Sequence, residues 1–233
     1  MLEIHKNSSR GAADHGWLQS NHSFSFGQYY NPEAMGFGPL LVINEDRVQA
    51  GKGFGTHGHE DMEIITYVLS GSLEHKDSMG TGSVISYGDV QRMSAGTGVR
   101  HSELNHSSSD RVHFLQIWIE PNVKSIAPSY EEKHFGLESK VGRLRLIGSP
   151  DGIDGSVLIH QDAYLYASIL NTPEHVQHPL RAGRTAYVHV IHGQVDVNGI
   201  TLKTGDALKI KDIALIDFTN ANEVEFLLFD LPY

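Results

Sequence analysis

The sequence predicts an all-β protein built from two copies of one β-sandwich or barrel module. Short apolar or alternating runs recur between glycine and Asx turns, and helical periodicity is almost absent. With 24 glycines beside 8 prolines, 39% hydrophobic and 20% charged residues, the composition is that of a turn-rich globular chain rather than disorder or a coiled coil. The runs are Leu40–Asn44, Ile64–Leu69, Val112–Ile119, Leu144–Ile147, Ala186–Ile191, Ala207–Ile210 and Val224–Leu231. Most have strand length, which leads to a sandwich or barrel. Only Pro128–Leu137 has helical potential: one or two turns that expose Glu131, Glu132 and Lys133.

The doubling is read from length and from an internal repeat. At 233 residues the chain suits one large domain or two small ones. The segment after Glu120 loses apolar periodicity and carries Pro121, Asn122, Pro128, Ser129 and an EEK run, as a linker would. This places an N-terminal domain at 1–121, a linker at 122–141 and a C-terminal domain at 142–233. YVLSGSLEH (Tyr67–His75) in the first part matches HVIHGQVDV (His189–Val197) in the second. Gly71 then aligns with Gly193, and Gly88–Asp89 with Gly205–Asp206, the pattern of a tandem module.

Charge and cysteine content narrow the chemistry. Eighteen basic against 28 acidic residues give a net charge of −10 with no basic cluster, so direct nucleic-acid binding is not expected. The absence of cysteine excludes disulfides, thiolate metal sites and a cysteine nucleophile. No apolar run is long enough to span a membrane and no signal peptide is recognisable, which predicts a soluble cytoplasmic protein without a membrane partner. Fifteen histidines remain, a ligand type that suits a non-thiolate metal.

They concentrate in one pattern. In GKGFGTHGHEDMEIITYVLSG (Gly51–Gly71), His57 and His59 are two apart and share a strand face, with Glu63 in the same phase. Farther on, GDVQRMSAGTGVRHSELN (Gly88–Asn105) repeats the spacing in His101 and Glu103. A strand return that laid the two segments together would gather three imidazoles and at least one carboxylate. In the second module the corresponding positions are Pro179, Arg181, Phe218 and Asn220, so only the first is expected to hold metal. His189 and His192, like His75 and His113, read as ordinary strand residues.

The spacing G-x5-H-x-H-x3-E-x7-G followed by G-x5-S-x-G-x4-H-x3-N resembles the two cupin motifs, with Ser94 in place of the usual proline and extra residues before Gly71 and His101. Those departures, the SAGTGVRHSE and QIWIEP runs, and HGWLQSNHSFSFGQYYNP (His15–Pro32) resemble the pirin family, particularly its bacterial members. The resemblance spans the chain and implies a bicupin, two tandem jelly-roll β-barrels of which only the first binds metal. It implies that His57, His59, His101 and Glu103 are the ligands. Many other cupins take the carboxylate from the first motif, here Glu63, and phase alone does not separate the two; on the family pattern Glu63 is expected beside the site.

Imidazole and carboxylate ligands suit Fe(II), Mn(II), Co(II), Ni(II), Cu(II) or Zn(II), and the resemblance implies iron. It also implies a dioxygenase, similar to quercetin 2,3-dioxygenases, that opens a flavonol with O2 and releases carbon monoxide. The expected proton acceptor is Glu103, with Glu63 second, and Phe26, Phe54 and Met93 are expected pocket walls. A non-enzymatic, metal-dependent regulator that binds a protein partner is the alternative the family implies.

Overall fold

The computed structural model describes residues 1–233, and its one α-helix is the four-residue α1 (Leu137–Lys140). Strands make up the frame. Before α1 come β1 (Leu2–His5), β2 (Gly11–Asp14), β3 (Leu18–His22), β4 (Leu40–Val48), β5 (Gly53–His59), β6 (Glu63–Ser70), β7 (Ser72–Asp77), β8 (Gly82–Ser86), β9 (Asp89–Ser94), β10 (Val99–Asn105), β11 (Val112–Ile119) and β12 (Ser129–His134). After it come β13 (Arg145–Ser149), β14 (Val157–Leu158), β15 (Tyr164–Leu170), β16 (Val176–Pro179), β17 (Arg184–Val197), β18 (Ile200–Lys203), β19 (Ala207–Lys211) and β20 (Leu215–Pro232). Each of the seven apolar runs falls in or overlaps one of these strands. No helix is long and apolar enough to cross a membrane.

The helical expectation for Pro128–Leu137 is not met. Most of that stretch is β12, paired antiparallel with β9 from Ser129 opposite Ser94 to His134 opposite Asp89. A run this short cannot meet the cost of helix nucleation, whereas an open sheet edge satisfies its backbone at once. The 122–141 segment, read as a linker, therefore contains a structural strand.

The chain divides into two compact units. One comprises Gly11–His134 with Val157–Gln161; the other comprises Met1–Arg10, Phe135–Ser156 and Asp162–Tyr233. Two short segments thus group with the unit remote from them in sequence, which no composition shift announces. In the second unit, β1 pairs with β19 from Leu2 opposite Ile210 to His5 opposite Ala207. Lys6 Nζ lies 3.0 Å from Asp206 Oδ2, and the Asn7 amide donates to Asp206 Oδ1 at 2.9 Å.

The first unit has a seven-stranded sheet, ordered β12-β9-β6-β11-β4-β3-β2, and a four-stranded sheet, β5-β10-β7-β8. Leu18, Val48, Val68, Leu73, Ile85, Val112 and Phe114 form one buried apolar cluster; Ile64, Met93, Ala95 and Val99 form another. The second unit is built on a sheet that runs β1-β19-β17-β20-β15-β13 and packs Val188, Val190, Leu208, Phe218, Phe226 and Leu228 into its core. Phe218, where the repeat would need a ligand, is fully buried among apolar side chains.

The repeat is visible in the backbone. Gly71 and Gly193 have φ of 76° and 79°, and Gly88 and Gly205 have φ of 90° and 79°. Asp89 and Asp206 each accept the amide three residues back, from Ser86 at 2.7 Å and Lys203 at 3.2 Å. A Cβ on Gly71 would sit 2.8 Å from the Arg111 carbonyl oxygen, and one on Gly193 would sit 2.2 Å from that of Glu223. Left-handed backbone costs a non-glycine residue about 1–2 kcal/mol before any clash. Gly71→Ala and Gly193→Ala are each expected to lower the melting temperature by roughly 4–8 °C, the equivalent of about 2 kcal/mol in a chain this long. Gly82→Ala, whose nearest contact is 4.0 Å away, should leave it within about 2 °C.

Candidate metal centre

Strands β5 and β10 pair antiparallel with His57 opposite His101, and a register shift between His101 and Glu103 sets Glu103 opposite Phe54. Alternation then turns His57, His59, His101 and Glu103 toward the interior. The imidazole centroids lie 4.4 Å apart for His57 and His101, 4.8 Å for His57 and His59, and 4.9 Å for His59 and His101. Ligand atoms of these three histidines all fall within 4.8 Å of one another. His101 and Glu103 form a second such group with His75. Together these residues make a metal-binding His/Glu site.

The electrostatics suit a cation. Burial, reinforced by the neighbouring imidazoles, pushes His101 down to about 3, and burial with His57 nearby pushes His59 down to about 4. Both rings are neutral near pH 7 and keep a lone pair for a metal. His57 Nδ1 donates to the Gly55 carbonyl oxygen at 2.8 Å, leaving Nε2 as its ligand atom. Both ring nitrogens of His101 and Oε1 of Glu103 are buried without hydrogen-bond partners. Such orphaned atoms cost about 1–3 kcal/mol each, and a divalent cation would satisfy Glu103 Oε1 and one nitrogen of His101. On that test the residues fit a metal.

Burial also pushes Glu103 up to about 7, against the opposing hydrogen bonds from Gln116 and Thr66. Gln116 Nε2 donates to Glu103 Oε2 at 2.8 Å, Thr66 Oγ1 donates to Gln116 Oε1 at 2.9 Å, and Gln91 Nε2 donates to Thr66 Oγ1 at 3.3 Å. The register places Gln91, Thr66, Gln116, Asn44 and His22 in one row across five strands of the larger sheet. On β6 and β11 that polar row lies between apolar residues, Ile64 and Val68 on one and Phe114 and Trp118 on the other. A buried polar row of this kind fixes the orientation of the carboxylate it ends on.

Glu63 is corrected. β5 ends at His59, and Asp61, at φ 45°, resets the strand phase before β6 begins. Glu63 consequently shares a face with Ile65 and Tyr67, opposite that of Ile64 and Thr66. Its Oε2 accepts from Ser94 Oγ at 3.0 Å and the His160 amide at 3.1 Å, with His160 Nδ1 at 3.3 Å. Its carboxylate is engaged by Ser94 and His160 and is not grouped with the three imidazoles. Conversely, His75 is no ordinary strand residue, since it is fully buried with its ring 5.3 Å from His101. An H-x-D spacing, His75 and Asp77, was its only trace in the sequence. Gln116 and Trp118 stood out in the sequence only as part of the QIWIEP run, with no role at the site attached.

A cavity of about 840 Å³ is lined by Trp17, His22, Phe26, Tyr29, Asn44 and Phe54, among others. Phe26 meets Trp118 edge-on at 5.4 Å, and Trp118 meets His59 at 5.0 Å, so aromatic rings lead from this cavity to the imidazoles. Two of the expected wall residues, Phe26 and Phe54, are present; Met93 lies instead in the apolar cluster against which Trp118 packs. His59 also borders a smaller cavity of about 490 Å³ lined by Glu60, Ser78 and Arg100. The larger one, with four aromatic rings, suits a flat aromatic ligand better.

Fold and site define a bicupin with a metal-binding His/Glu site in the unit that carries the H-x-H and H-x-E pairs. The pirin family profile matches residues 4–119, and the profile described as the quercetinase C-terminal cupin domain matches 146–231. The chain belongs to the pirin family. It is 48% identical over 232 residues to a quercetin 2,3-dioxygenase of Escherichia coli, covering 100% of this chain and 99% of that protein. A pirin-like protein of Caulobacter vibrioides is 40% identical, with 94% and 95% covered. The crystal structure of the bacterial pirin YhhW from Escherichia coli in complex with nickel(II) superimposes with a TM-score of 0.95 at 47% identity, covering 100% and 99% of the two chains.

Two outcomes follow from Glu103. Below pH 7 it holds a proton that a cation must displace, so metal affinity should rise as pH increases through about 7 and then level off. Titration calorimetry in buffers of different ionisation enthalpy should show proton release at pH 6 that Glu103→Gln removes; equal release in that variant would contradict the assignment. Gln116→Leu, which strips Oε2 of its donor, is expected to weaken metal binding by about 10-fold, the lower end for loss of such a support.

Proposed function

We propose that this protein is a mononuclear-metal dioxygenase that opens a flavonol such as quercetin with O2 and releases carbon monoxide. The observation that carries the reading is the convergence of His57, His59 and His101, with Glu103 on the same face, joined through Trp118 and Phe26 to a cavity walled by aromatic rings. The 48% identity to a protein named quercetin 2,3-dioxygenase supports the reaction class. We assign His57, His59, His101 and Glu103 as the ligands and place Fe(II) first. The same nitrogen and oxygen donors also accept Mn(II), Co(II), Ni(II), Cu(II) or Zn(II).

When bound, the metal supplies a Lewis acid that lowers the pKa of the flavonol 3-hydroxyl. The remaining work falls to the chain. Trp17, Phe26, Tyr29 and Phe54 stack on the flat substrate and exclude water from its faces. Glu103, bound or briefly released from the metal, is the first acceptor for the 3-hydroxyl proton, while Gln116 holds its Oε2.

The test is anaerobic reconstitution with each metal in turn, then quercetin and air, with flavonol absorbance and carbon monoxide followed together. At least one metal should give stoichiometric carbon monoxide; no turnover with any of them would contradict the dioxygenase reading. His57→Ala and His101→Ala should lose metal and activity together. Glu103→Gln should lower turnover at least 100-fold, whereas Glu63→Gln should retain metal and most activity.

A further inference from the structure

The end of β7 holds a pair that the metal reading leaves unused. His75 Nε2 lies 3.0 Å from Asp77 Oδ2, and both side chains are wholly buried. Asp77 Oδ1 accepts the amides of Met79 at 2.9 Å and Thr81 at 3.0 Å, so both carboxylate oxygens are pinned. An ionised carboxylate only accepts, so His75 Nε2 is the donor of this bond and Nδ1 is the nitrogen left to face other partners. Tyr130 packs on the same ring, with centroids 4.8 Å apart.

Nδ1 of His75 has no hydrogen-bond partner, and neither does either ring nitrogen of His101. β10 lies between β5 and β7, with His101 opposite His57 on one side and Asp77 on the other. A ligating imidazole uses one nitrogen for the metal and presents the other as an N–H that requires an acceptor. His57 has its acceptor in the Gly55 carbonyl oxygen, whereas neither nitrogen of His101 has one, and His75 lies within reach of its ring.

We propose that Asp77 and His75 form a buried relay that positions His101: Asp77 holds the proton on His75 Nε2, and His75 Nδ1 accepts the N–H of His101 when its other nitrogen binds metal. The inference rests on His101 being a ligand. His75 is a positioning residue, which fixes the tautomer and ring plane of His101 without touching substrate.

The experiment uses the full chain loaded with Zn(II), which is diamagnetic. Long-range 1H–15N NMR of the imidazoles should show His75 protonated at Nε2 alone and His101 protonated at its metal-free nitrogen; His75 protonated at Nδ1 would overturn the proposal. Chelator competition then reads affinity. Asp77→Asn keeps Oδ1 for the turn but offers N–H in place of Oδ2, so His75 must switch tautomer and turn a donor toward His101. That variant and His75→Phe should each bind Zn(II) 10–100-fold more weakly, still at one ion per chain. His75→Asn, whose amide oxygen can take the Nδ1 position, should recover most of the affinity and be insensitive to Asp77→Asn. Unchanged affinity in folded Asp77→Asn and His75→Phe would overturn the relay. Loss of one of two bound ions in His75→Phe would overturn it by making His75 a ligand. Full metal content in His101→Ala would instead sink the ligand assignment itself.

Discussion

The metal centre depends on one contact, the antiparallel pairing of β5 with β10. That register sets His57 opposite His101 and brings the H-x-H and H-x-E pairs, some forty residues apart in sequence, to one interior face. Everything else at the site serves that pairing. The larger sheet closes over it with a polar row ending at Glu103, and β7 supports the far side of His101. Burying imidazoles keeps them neutral and leaves donor atoms unsatisfied, so the fold holds an arrangement that a cation completes.

The two units show how a scaffold outlasts its chemistry. The left-handed glycines and the aspartate caps that follow them recur at matching places because the backbone path requires them. The ligand positions do not recur, because nothing in the path demands histidine. Phe218 fills one of them with an apolar ring and adds it to the core. A second barrel of this kind retains its value as packing without the H-x-H and H-x-E pairs.

Much of this was legible in the sequence, and the exceptions share a cause. Strand existence, the repeat and the histidine cluster follow from alternation, turn glycines and i, i+2 spacing, which are local. Glu63 was misread because a phase count assumes an unbroken strand, and the turn at Asp61 interrupts it. Gln116 and His75 were missed because their roles depend on register between distant strands, which a lone polar residue in an apolar run does not disclose. The grouping of Met1–Arg10 with the C-terminal unit was likewise invisible, since a four-residue strand carries no mark of its partner.

The proposed centre holds one metal among His57, His59, His101 and Glu103. The most direct test is anomalous diffraction at the absorption edge of the bound metal in crystals of the loaded protein. A single peak within about 2.0–2.3 Å of one nitrogen from each histidine and one Glu103 oxygen is the predicted result. A peak bound by His75 in place of His57 and His59, or one in the C-terminal unit, would contradict it.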